Sequence, residues 1–500
     1  MNREDSLTEA VQRLQRPTPA RQRQKVQQQQ QAEEGSTEVE EPVSLSPELA
    51  SWIKFNAKDL KIRQTDRRWA AEVVNDFRDS LLKFLRSNSD QPFFQSGDFL
   101  TTGSYFEKVK IHNPDEFDMM LKLQAPSRIN MTKIDGGLFY RLDFARHARS
   151  PVQAFLLENQ CTISSSKILT EMFRLVRKFL KTYRVPVEDF RWEVNRKRPY
   201  SPAVTLSLFK TDNNIDELIS VDVVPALEVH PSQGWPVAVR NGPDVENWLG
   251  KKVRQEIKSL PCYFVPKRIK GRNLSEEDKE SWRISFSHIE KKIITCHGNK
   301  KTCCESNATK CCRKRCLMLL KSLIQGLKQR FPKELDDLCS YHGKTAFLHI
   351  LSIRFNDSMW APQQLPSCFL LLVRALEDHA RRGSLPHFFV PSCNLFCPTV
   401  FPRRALAFLV SALEEQRREG LPLLKPPAPV PPPRSISPPP PAAAADSSTK
   451  TPANVSPIVT LVHSLDAGLN RLIIVLFVAV FCVLFCMSVM VKEDEYVKYI

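Results

Sequence analysis

Three acidic residues are the strongest candidates for chemistry in this sequence. Glu116 and Asp118 are two residues apart in a strand-like segment, so both side chains are expected on one face. Asp222 lies in a second apolar segment, residues 218–224. Three carboxylates that converge from two strands suit a pair of Mg²⁺ ions, which prefer oxygen ligands and complete their coordination with phosphate oxygens and water. Two such ions can activate a sugar hydroxyl and stabilise a leaving diphosphate.

A short turn, Thr102-Gly103-Ser104, precedes the acid pair and completes this pattern. Gly103 lets backbone amides approach a phosphate closely, and the Ser104 hydroxyl adds a donor. A glycine-serine pair alone, or an acid pair on a strand alone, is often purely structural. The combination of the turn, the acid pair and a distant third acid predicts a nucleotidyl-transfer site.

Cysteines are concentrated in one short region of the chain. Six of the fourteen fall between Cys296 and Cys316, a density that indicates a metal site rather than disulfide bridges. Four soft ligands in the pattern H-x5-C-C-x6-C fit tetrahedral Zn²⁺ with no open position, so the site would be structural. The residues of this pattern are His297, Cys303, Cys304 and Cys311. Three further cysteines compete as ligands, and a set of free buried thiols is the alternative: Cys296, Cys312 and Cys316.

Two basic stretches predict contact with nucleic-acid phosphates. The first surrounds the cysteine cluster and contains Lys300, Lys301, Lys310, Arg313, Lys314 and Arg315. The second contains Arg174, Arg177, Lys178, Lys181 and Arg184 on a predicted helix, followed by Arg191, Arg196, Lys197 and Arg198. Neither stretch has interleaved aromatic residues, which favours sequence-independent contact with a duplex backbone over single-strand recognition. A merely solvated helix face is the alternative for the second stretch.

Composition supports an anionic partner. The 500 residues carry a net charge of +17, and residues 46–420 hold 60 Arg and Lys against 42 Asp and Glu. With 42% hydrophobic residues and only 15 glycines, a wholly disordered or collagen-like chain is excluded. No apolar segment follows Met1, so we expect no secretory signal and a reducing compartment, the cytosol or the nucleus.

Local patterns predict an α+β fold with a sheet-bearing first lobe and a helical second lobe. A long helical pattern begins at Ser46 and Pro47 and continues to about Asn88. Alternating segments predict strands at 117–123, 138–144, 203–209 and 218–224, and helices are expected at 165–182, at 244–257 and through most of 313–420.

The C-terminal region has the composition of a linker followed by a membrane anchor. Residues 421–457 carry 13 prolines, which is typical of an extended linker. Leu472 to Val491 is 20 residues without charge, enough to span about 30 Å as a helix. A tail-anchored membrane helix is therefore expected at 472–491, with a buried core helix as the alternative.

Several of these motifs together resemble the vertebrate cyclic GMP-AMP synthase family. The resemblance is carried by residues 102–110 (TGSYFEKVK), 113–118 (NPDEFD), 201–206 (SPAVTL), 219–222 (ISVD) and 282–290 (WRISFSHIE), and it covers about residues 50–420. It implies a two-lobed Mab-21-type nucleotidyltransferase fold with a long N-terminal spine helix and a zinc-binding insertion. It also implies use of ATP plus GTP, and it selects His297, Cys303, Cys304 and Cys311 as the zinc ligands.

The resemblance also implies the site residues and the domain boundaries. The metal-binding acids would be Glu116, Asp118 and Asp222, and the nucleotide-contacting positions would be Thr102, Gly103, Ser104, Lys267, Arg283, Ser285, Ser287, Glu290, Lys321, Ser340, Tyr341 and Lys344. The implied organisation is a disordered tail (1–45), a nucleotidyltransferase core with its spine helix (46–257), a helical lobe (258–420) with a zinc insertion (296–316), a proline-rich linker (421–457) and a transmembrane helix (472–491).

These observations predict a DNA-activated synthase of 2′,3′-cyclic GMP-AMP, an innate immune sensor that uses two Mg²⁺ ions and one structural Zn²⁺. The expected partners are double-stranded DNA, ATP and GTP, with a homodimer on DNA and a membrane at the C-terminal tail as further expectations. Two alternatives are a membrane-tethered, catalytically silent Mab-21-like binding protein and an RNA-activated cyclic dinucleotide synthase. The intact acid triad argues against the first alternative, and the basic zinc insertion argues against the second.

Overall fold

The computed structural model describes residues 45–425, apart from 89, 147–150, 187–188, 213–216, 240–241, 244 and 271–272. Most of the predicted N-terminal tail and of the proline-rich linker, and the whole predicted membrane helix at 472–491, lie outside the described residues. Among the residues that are described, no helix is both long and apolar enough to cross a membrane.

The described chain combines one large sheet with a helical C-terminal part, as the sequence predicts. The helices are α1 (Pro47–Asp59), α2 (Gln64–Asn88), α3 (Pro92–Gln95), α4 (Gly103–Phe106), α5 (Ser165–Thr182), α6 (Lys251–Ser259), α7 (Glu276–Lys279), α8 (Ser287–Thr295), α9 (Arg313–Arg330), α10 (Ser340–Ile353), α11 (Leu365–Arg382) and α12 (Arg403–Arg418). The strands are β1 (Asp98–Thr102), β2 (Glu116–Gln124), β3 (Ile129–Lys133), β4 (Phe139–Phe144), β5 (Phe190–Val194), β6 (Val204–Lys210), β7 (Ile219–Glu228), β8 (Tyr263–Val265), β9 (Trp282–Ser285), β10 (Pro386–His387) and β11 (Val390–Asn394).

Strand β7 is the centre of the main sheet. The path β1-β2-β7-β8-β9-β4-β3 forms one edge-to-edge order, and β6 pairs with both β5 and β7. The β2–β7 pair is parallel, whereas the other pairs of this sheet are antiparallel. Because β8 and β9 belong to the sheet, the sheet extends to Ser285, and the predicted domain boundary at 257 falls inside it.

The predicted N-terminal helix is divided in two by the structure. Ser46 caps the first helix, since its Oγ accepts the Leu49 amide at 3.2 Å, and Pro47 occupies the first helical position. The helix ends at Asp59, and the carbonyl oxygen of its C-cap residue, Leu60, accepts the His112 amide at 3.3 Å instead of continuing the helical ladder. Helix α2 then begins at Gln64, so a long-range backbone contact decides a boundary that the apolar periodicity does not show.

Helix α5 separates a buried apolar stripe from an exposed basic face. Ser164 caps its N-terminus by accepting the Lys167 amide at 3.0 Å. Ile168, Met172 and Phe179 are buried beneath the helix. The basic residues between them are left on the outside by the 3.6-residue period.

The residues that follow α12 return to the N-terminal helix. Leu421, Leu423 and Leu424 are buried, the Leu421 carbonyl accepts the Trp52 indole N–H at 3.1 Å, and the Leu424 carbonyl accepts the Ser322 hydroxyl at 3.0 Å. Residues 421–425 therefore belong to the folded body, although the sequence analysis assigned them to the proline-rich linker.

A chain that ends at Gly420 should be markedly less stable than one that ends at Lys425. Loss of three buried leucine side chains, each contributing about 1.5–3 kcal/mol, is expected to lower the free energy of unfolding by at least about 3 kcal/mol. Urea unfolding of both chains, followed by tryptophan fluorescence, measures the difference. Equal midpoints and slopes for the two chains would show that the 421–425 segment contributes nothing to the fold.

Candidate active site and zinc centre

The predicted carboxylates lie on neighbouring strands of the sheet. In β2, buried Phe117 lies between Glu116 and Asp118, so both carboxylates are on the same face of the strand, opposite Phe117. The parallel register of β2 and β7 places Asp118 directly beside Asp222. On its other side Asp118 is the register partner of Thr102, the last residue of β1. The structure therefore brings the acids and the beginning of the glycine turn together at one position across three strands.

An open cavity of about 440 Å³ lies over these acids. Its lining also includes residues that the sequence did not point to or assigned elsewhere: Asp115, Arg198, Thr205, Glu217 and Ser220. The Thr205 hydroxyl donates to Asp222 Oδ1 at 2.6 Å and so orients this carboxylate. Thr205 lies on β6 as the register partner of Asp222, a neighbour that strand pairing defines and sequence spacing does not. Arg198, predicted to contact DNA, is placed at this cavity.

The charges in this cavity favour bound cations. Burial, together with the neighbouring carboxylates of Asp222 and Glu116, raises the pKa of Asp118 to about 6. A lysine already shares this negative charge, because Lys110 Nζ lies 2.5 Å from Glu116 Oε2 and 2.8 Å from Asp115 Oδ1. Carboxylate oxygens are the donors that Mg²⁺ prefers, so this all-oxygen set fits Mg²⁺.

Gly103 is required at its position for two reasons. Its φ of +78° lies in the left-handed region, and a Cβ atom there would come within 1.9 Å of Asp118 Oδ2. The backbone of the turn is thus in direct contact with the central acid. Ser104 follows in the short helix α4.

Several predicted nucleotide residues form one buried hydrogen-bonded network. Lys344 Nζ donates to Glu290 Oε2 at 2.5 Å and to Glu107 Oε1 at 2.7 Å. The Tyr341 hydroxyl lies 3.0 Å from Glu290 Oε1 and 2.9 Å from His387 Nε2. The Phe389 amide donates to His387 Nδ1, so this imidazole donates through Nε2 to the Tyr341 oxygen, and the Tyr341 hydroxyl donates to Glu290. Sequence reasoning missed Glu107 and His387, which join the network only through tertiary contacts.

The other predicted nucleotide residues lie on adjacent elements. Arg283 is exposed on β9, where it is the register partner of Val265, and the Lys267 amide donates to the Val265 carbonyl at 2.7 Å. The Ser285 and Ser287 hydroxyls are 3.2 Å apart, and Ser340 begins α10 next to Tyr341. Lys321 is half-buried, and burial together with the nearby charge of Lys110 lowers its pKa to about 8. Its amine donates to the Val109 carbonyl at 3.1 Å.

The predicted zinc ligands converge in the structure. The donor atoms of His297, Cys303, Cys304 and Cys311 all lie within 4.8 Å of one another. His297 Nε2 is 3.5 Å from Cys304 Sγ and 3.2 Å from Cys311 Sγ, and these two sulfurs are 3.6 Å apart. His297 Nδ1 donates to the Ile294 carbonyl at 2.7 Å, which leaves Nε2 as the metal-ligating nitrogen. The donor set and its spacing fit one tetrahedral Zn²⁺.

Arg313, predicted to contact DNA, is instead fully buried next to the loop of residues 297–311 (the zinc loop), which carries the four candidate zinc ligands. Its guanidinium pairs with Asp357 Oδ1 at 2.8 Å, donates to the Phe355 carbonyl at 2.9 Å and lies over the Trp360 ring. Asp357 in turn accepts the backbone amides of residues 299 and 300. Arg313 therefore fixes the base of the loop, because a buried charge is stable only beside a partner such as Asp357. Lys314 is half-buried, and its amine donates to the Glu107 carbonyl at 3.1 Å.

The remaining basic residues are arranged in two exposed sets. On α5, a shallow cavity of about 680 Å³ is lined by Arg174, Arg177, Lys178 and Lys181 with Lys197. Arg174 is also paired with Asp90 and Glu171 at 2.5 and 2.6 Å. Arg196 is exposed near this set, and on the zinc loop Lys300, Lys301 and Lys310 are exposed and Arg315 is half-exposed.

Comparison with known proteins identifies relatives over most of the described chain. Residues 105–295 match the Mab-21 protein nucleotidyltransferase domain, and residues 312–415 match the Mab-21 protein HhH/H2TH-like domain. A cyclic GMP-AMP synthase of Mus musculus is 39% identical over 365 residues, which cover 73% of this chain and 68% of that protein. A cyclic GMP-AMP synthase of Sus scrofa is 36% identical over 394 residues, which cover 78% of this chain and 76% of that protein. A cyclic GMP-AMP synthase-like receptor of Magallana gigas is 25% identical over 384 residues, which cover 75% of this chain and 57% of that protein.

Replacing both Cys303 and Cys304 with alanine should remove bound zinc and lower the thermal midpoint, since structural zinc binding contributes folding free energy. Metal analysis of the purified protein is expected to give about one zinc per chain in the parent, as one four-ligand site requires.

The variant Cys296→Ala is the matched control, because Cys296 belongs to the same cysteine cluster but lies outside the four converging donors. It should retain the zinc. A zinc-free parent, or loss of zinc in the control, would contradict the assigned ligand set.

Proposed function

We propose a function for this chain on the premise that it belongs to the Mab-21 nucleotidyltransferase family and is similar to its cyclic GMP-AMP synthases. The proposed function is that of a double-stranded-DNA-activated synthase of 2′,3′-cyclic GMP-AMP. Its substrates would be ATP and GTP, and diphosphate would be released. In this role it is a DNA sensor of innate immunity that makes a second messenger.

One observation carries this proposal: Asp118, Asp222 and the start of the glycine turn share a single position across β1, β2 and β7, and Glu116 lies two residues away on the same face. Asp118 has Thr102 as its register partner on one side and Asp222 on the other. A catalytically silent relative that retained only the fold would not need Gly103. No larger residue can reproduce its conformation and its close contact with Asp118. This arrangement supports an active enzyme over a catalytically silent relative.

Glu116, Asp118 and Asp222 would hold the two Mg²⁺ ions. When bound, these ions supply positive charge to the phosphates and lower the pKa of the attacking sugar hydroxyl. Asp222 is the residue assigned to accept the proton of that hydroxyl, because Thr205 holds one of its oxygens in a fixed direction. Amides of the Gly103–Ser104 turn would donate to the phosphate oxygens.

Nucleotide recognition would use the face of the helical lobe that meets the sheet. Tyr341 has its hydroxyl engaged by Glu290 and His387, so its ring is held in one orientation and offers a flat surface to a base. Arg283 is exposed and carries a planar guanidinium that can pair with a base edge or a phosphate. Lys321 and Lys267 would supply point charges to phosphate groups.

DNA binding would use the basic face of α5 and the zinc loop. The exposed residues that carry this proposal are Arg177, Lys178, Lys181, Arg196 and Lys197 on one set and Lys300, Lys301 and Lys310 on the other. Arg313 is left out of the proposed DNA-binding surface because it is buried, and Lys314 is left out because its amine donates to the Glu107 carbonyl. These contacts are to phosphates, so binding is expected to be independent of sequence.

The decisive experiment is one incubation of the protein with ATP, GTP and Mg²⁺, with duplex DNA, duplex RNA or neither, and with products identified by mass spectrometry. Cyclic GMP-AMP formed only with DNA supports the proposal. Formation with RNA alone favours the RNA-activated alternative, and no product with any nucleic acid favours a silent binding protein.

Replacing both Glu116 and Asp118 with alanine should lower product formation by at least about a thousandfold, since charge-stabilising groups at a reacting phosphate each contribute about 10²–10³. DNA affinity should change less than about twofold, because these acids face the nucleotide cavity. The matched control replaces Glu334 and Asp336, which have the same spacing, the same charge and an exposed position. Synthesis retained by the first double variant would refute the active-site assignment.

Activation should be insensitive to DNA sequence and strongly dependent on salt. Unrelated duplexes of equal length are expected to bind within about twofold of one another, while affinity falls by roughly a thousandfold or more between 50 and 200 mM salt if about six phosphates are neutralised. Fluorescence anisotropy measures both quantities.

Removing Arg177 and Lys181 should reduce the slope of log affinity against log salt by about two. Removing Arg403 and Arg404, an exposed basic pair on α12, is the charge-matched control and should leave the slope unchanged. A strong preference for one sequence would count against phosphate-based binding.

A further inference from the structure

The segment that follows the catalytic turn is held by lysine side chains from the helical lobe. Lys314 and Lys321, both on α9, donate to the carbonyl oxygens of residues 107 and 109, each at 3.1 Å. Lys344 on α10 donates to the Glu107 carboxylate at 2.7 Å. Three ammonium groups from two helices therefore converge on a few residues of the sheet lobe.

These residues in turn hold the backbone of the catalytic turn. The Glu107 amide donates to the Gly103 carbonyl at 3.0 Å, and the Val109 amide donates to the Ser104 carbonyl at 2.9 Å. On the opposite side of the turn, Lys291 on α8 donates to both the carbonyl and the hydroxyl of Thr101 at 2.8 Å. The position of Gly103 against Asp118 is thus set through contacts made outside the acid cluster.

Glu107 is the residue of this segment whose own side chain contacts the helical lobe. It is 1% exposed, and it shares the Lys344 ammonium with buried Glu290. Burying a carboxylate to this extent is costly without a paired cation, and the Lys344 ammonium that Glu107 shares with Glu290 joins the turn to α10 and α8. Burial raises the pKa of Glu107 above its ordinary value, while the Lys344 ammonium opposes this rise.

We propose that Glu107 is a positioning residue for nucleotidyl transfer: through Lys344 it fixes the Gly103–Ser104 turn against Asp118, so that phosphate-binding amides and metal-binding acids stay in register. Glu107 lies below the turn and acts through it. The inference rests on the proposed function, because it assigns a role within that reaction.

The test compares three variants at Glu107 in the full chain, with ATP, GTP, Mg²⁺ and duplex DNA. Glu107→Ala should lower kcat by roughly 30- to 100-fold, since a displacement of about 1 Å at a reacting centre can cost about 10²-fold, while KM for either nucleotide changes less than about threefold. Glu107→Asp keeps the charge but shortens the reach and should lower kcat by at least about tenfold. Glu107→Gln keeps the acceptor oxygen in place and should stay within about threefold of the parent.

Glu377→Ala is the matched control for loss of a buried, paired carboxylate. Glu377 is 2% exposed and accepts hydrogen bonds from Arg381 and Arg417 at 2.7 and 2.9 Å, between α11 and α12. At a temperature where it is folded, it should keep the kcat of the parent. Amide hydrogen exchange of residues 103–109 should accelerate in Glu107→Ala and stay unchanged in Glu377→Ala.

The outcomes separate the two proposals. An active parent whose Ala and Asp variants keep the parental kcat overturns the positioning role and leaves the proposed function standing. Equal loss of kcat in Glu107→Ala and Glu377→Ala also overturns it, because the effect is then one of stability alone. If Glu107→Ala does not fold, a lower kcat for Glu107→Asp than for Glu107→Gln supports the proposal, and a lower kcat for Glu107→Gln refutes it. A parent that makes no product overturns the proposed function and this role with it.

Discussion

The parallel pairing of β2 with β7 is the constraint on which the site depends. Its register places Asp118 and Asp222 side by side, with Glu116 two residues away on the same face. Burial and the neighbouring carboxylates both disfavour the ionised form of Asp118 and raise its pKa to about 6, so the cluster opposes folding when it is charged. The strands tolerate it because their other faces are fully apolar, with Phe117, Val221 and Val223 in the core. Bound divalent cations would offset this repulsion at the place where phosphate chemistry is proposed.

Lysines connect this sheet to the helical lobe. Their role differs from that of the exposed basic residues, because Lys314, Lys321 and Lys344 direct their amines inward to carbonyl and carboxylate oxygens of one short segment. Buried amines lose hydration, which lowers the pKa of Lys314 and Lys321. The net positive charge of the chain is therefore divided between an exterior that suits DNA and an interior that joins the lobes.

The zinc loop also combines a buried ion pair at its base with exposed lysines on its surface. His297 and three cysteines define the loop, and the buried Arg313–Asp357 pair holds its base through the amides of residues 299 and 300. Gly298 is needed because a Cβ atom there would lie 2.2 Å from the Cys303 Cβ. The loop thereby keeps Lys300, Lys301 and Lys310 on a fixed support, exposed to solvent.

The sequence by itself predicted the mixed α and β fold, several of its elements and the residues that converge at the two candidate centres. Period-two alternation located β2, β6 and β7, and residue type with spacing singled out Glu116, Asp118, Asp222 and the four residues of the His/Cys cluster, because these signals are local. Only the tertiary structure decided which of the basic residues are buried, where the N-terminal helix breaks, and that residues 421–425 belong to the body. Each of those outcomes depends on a partner far along the chain: Asp357 for Arg313, His112 for Leu60, and Trp52 for Leu421. Contacts between residues so distant in sequence leave no periodic trace, so burial and pairing could be seen only once the chain was folded.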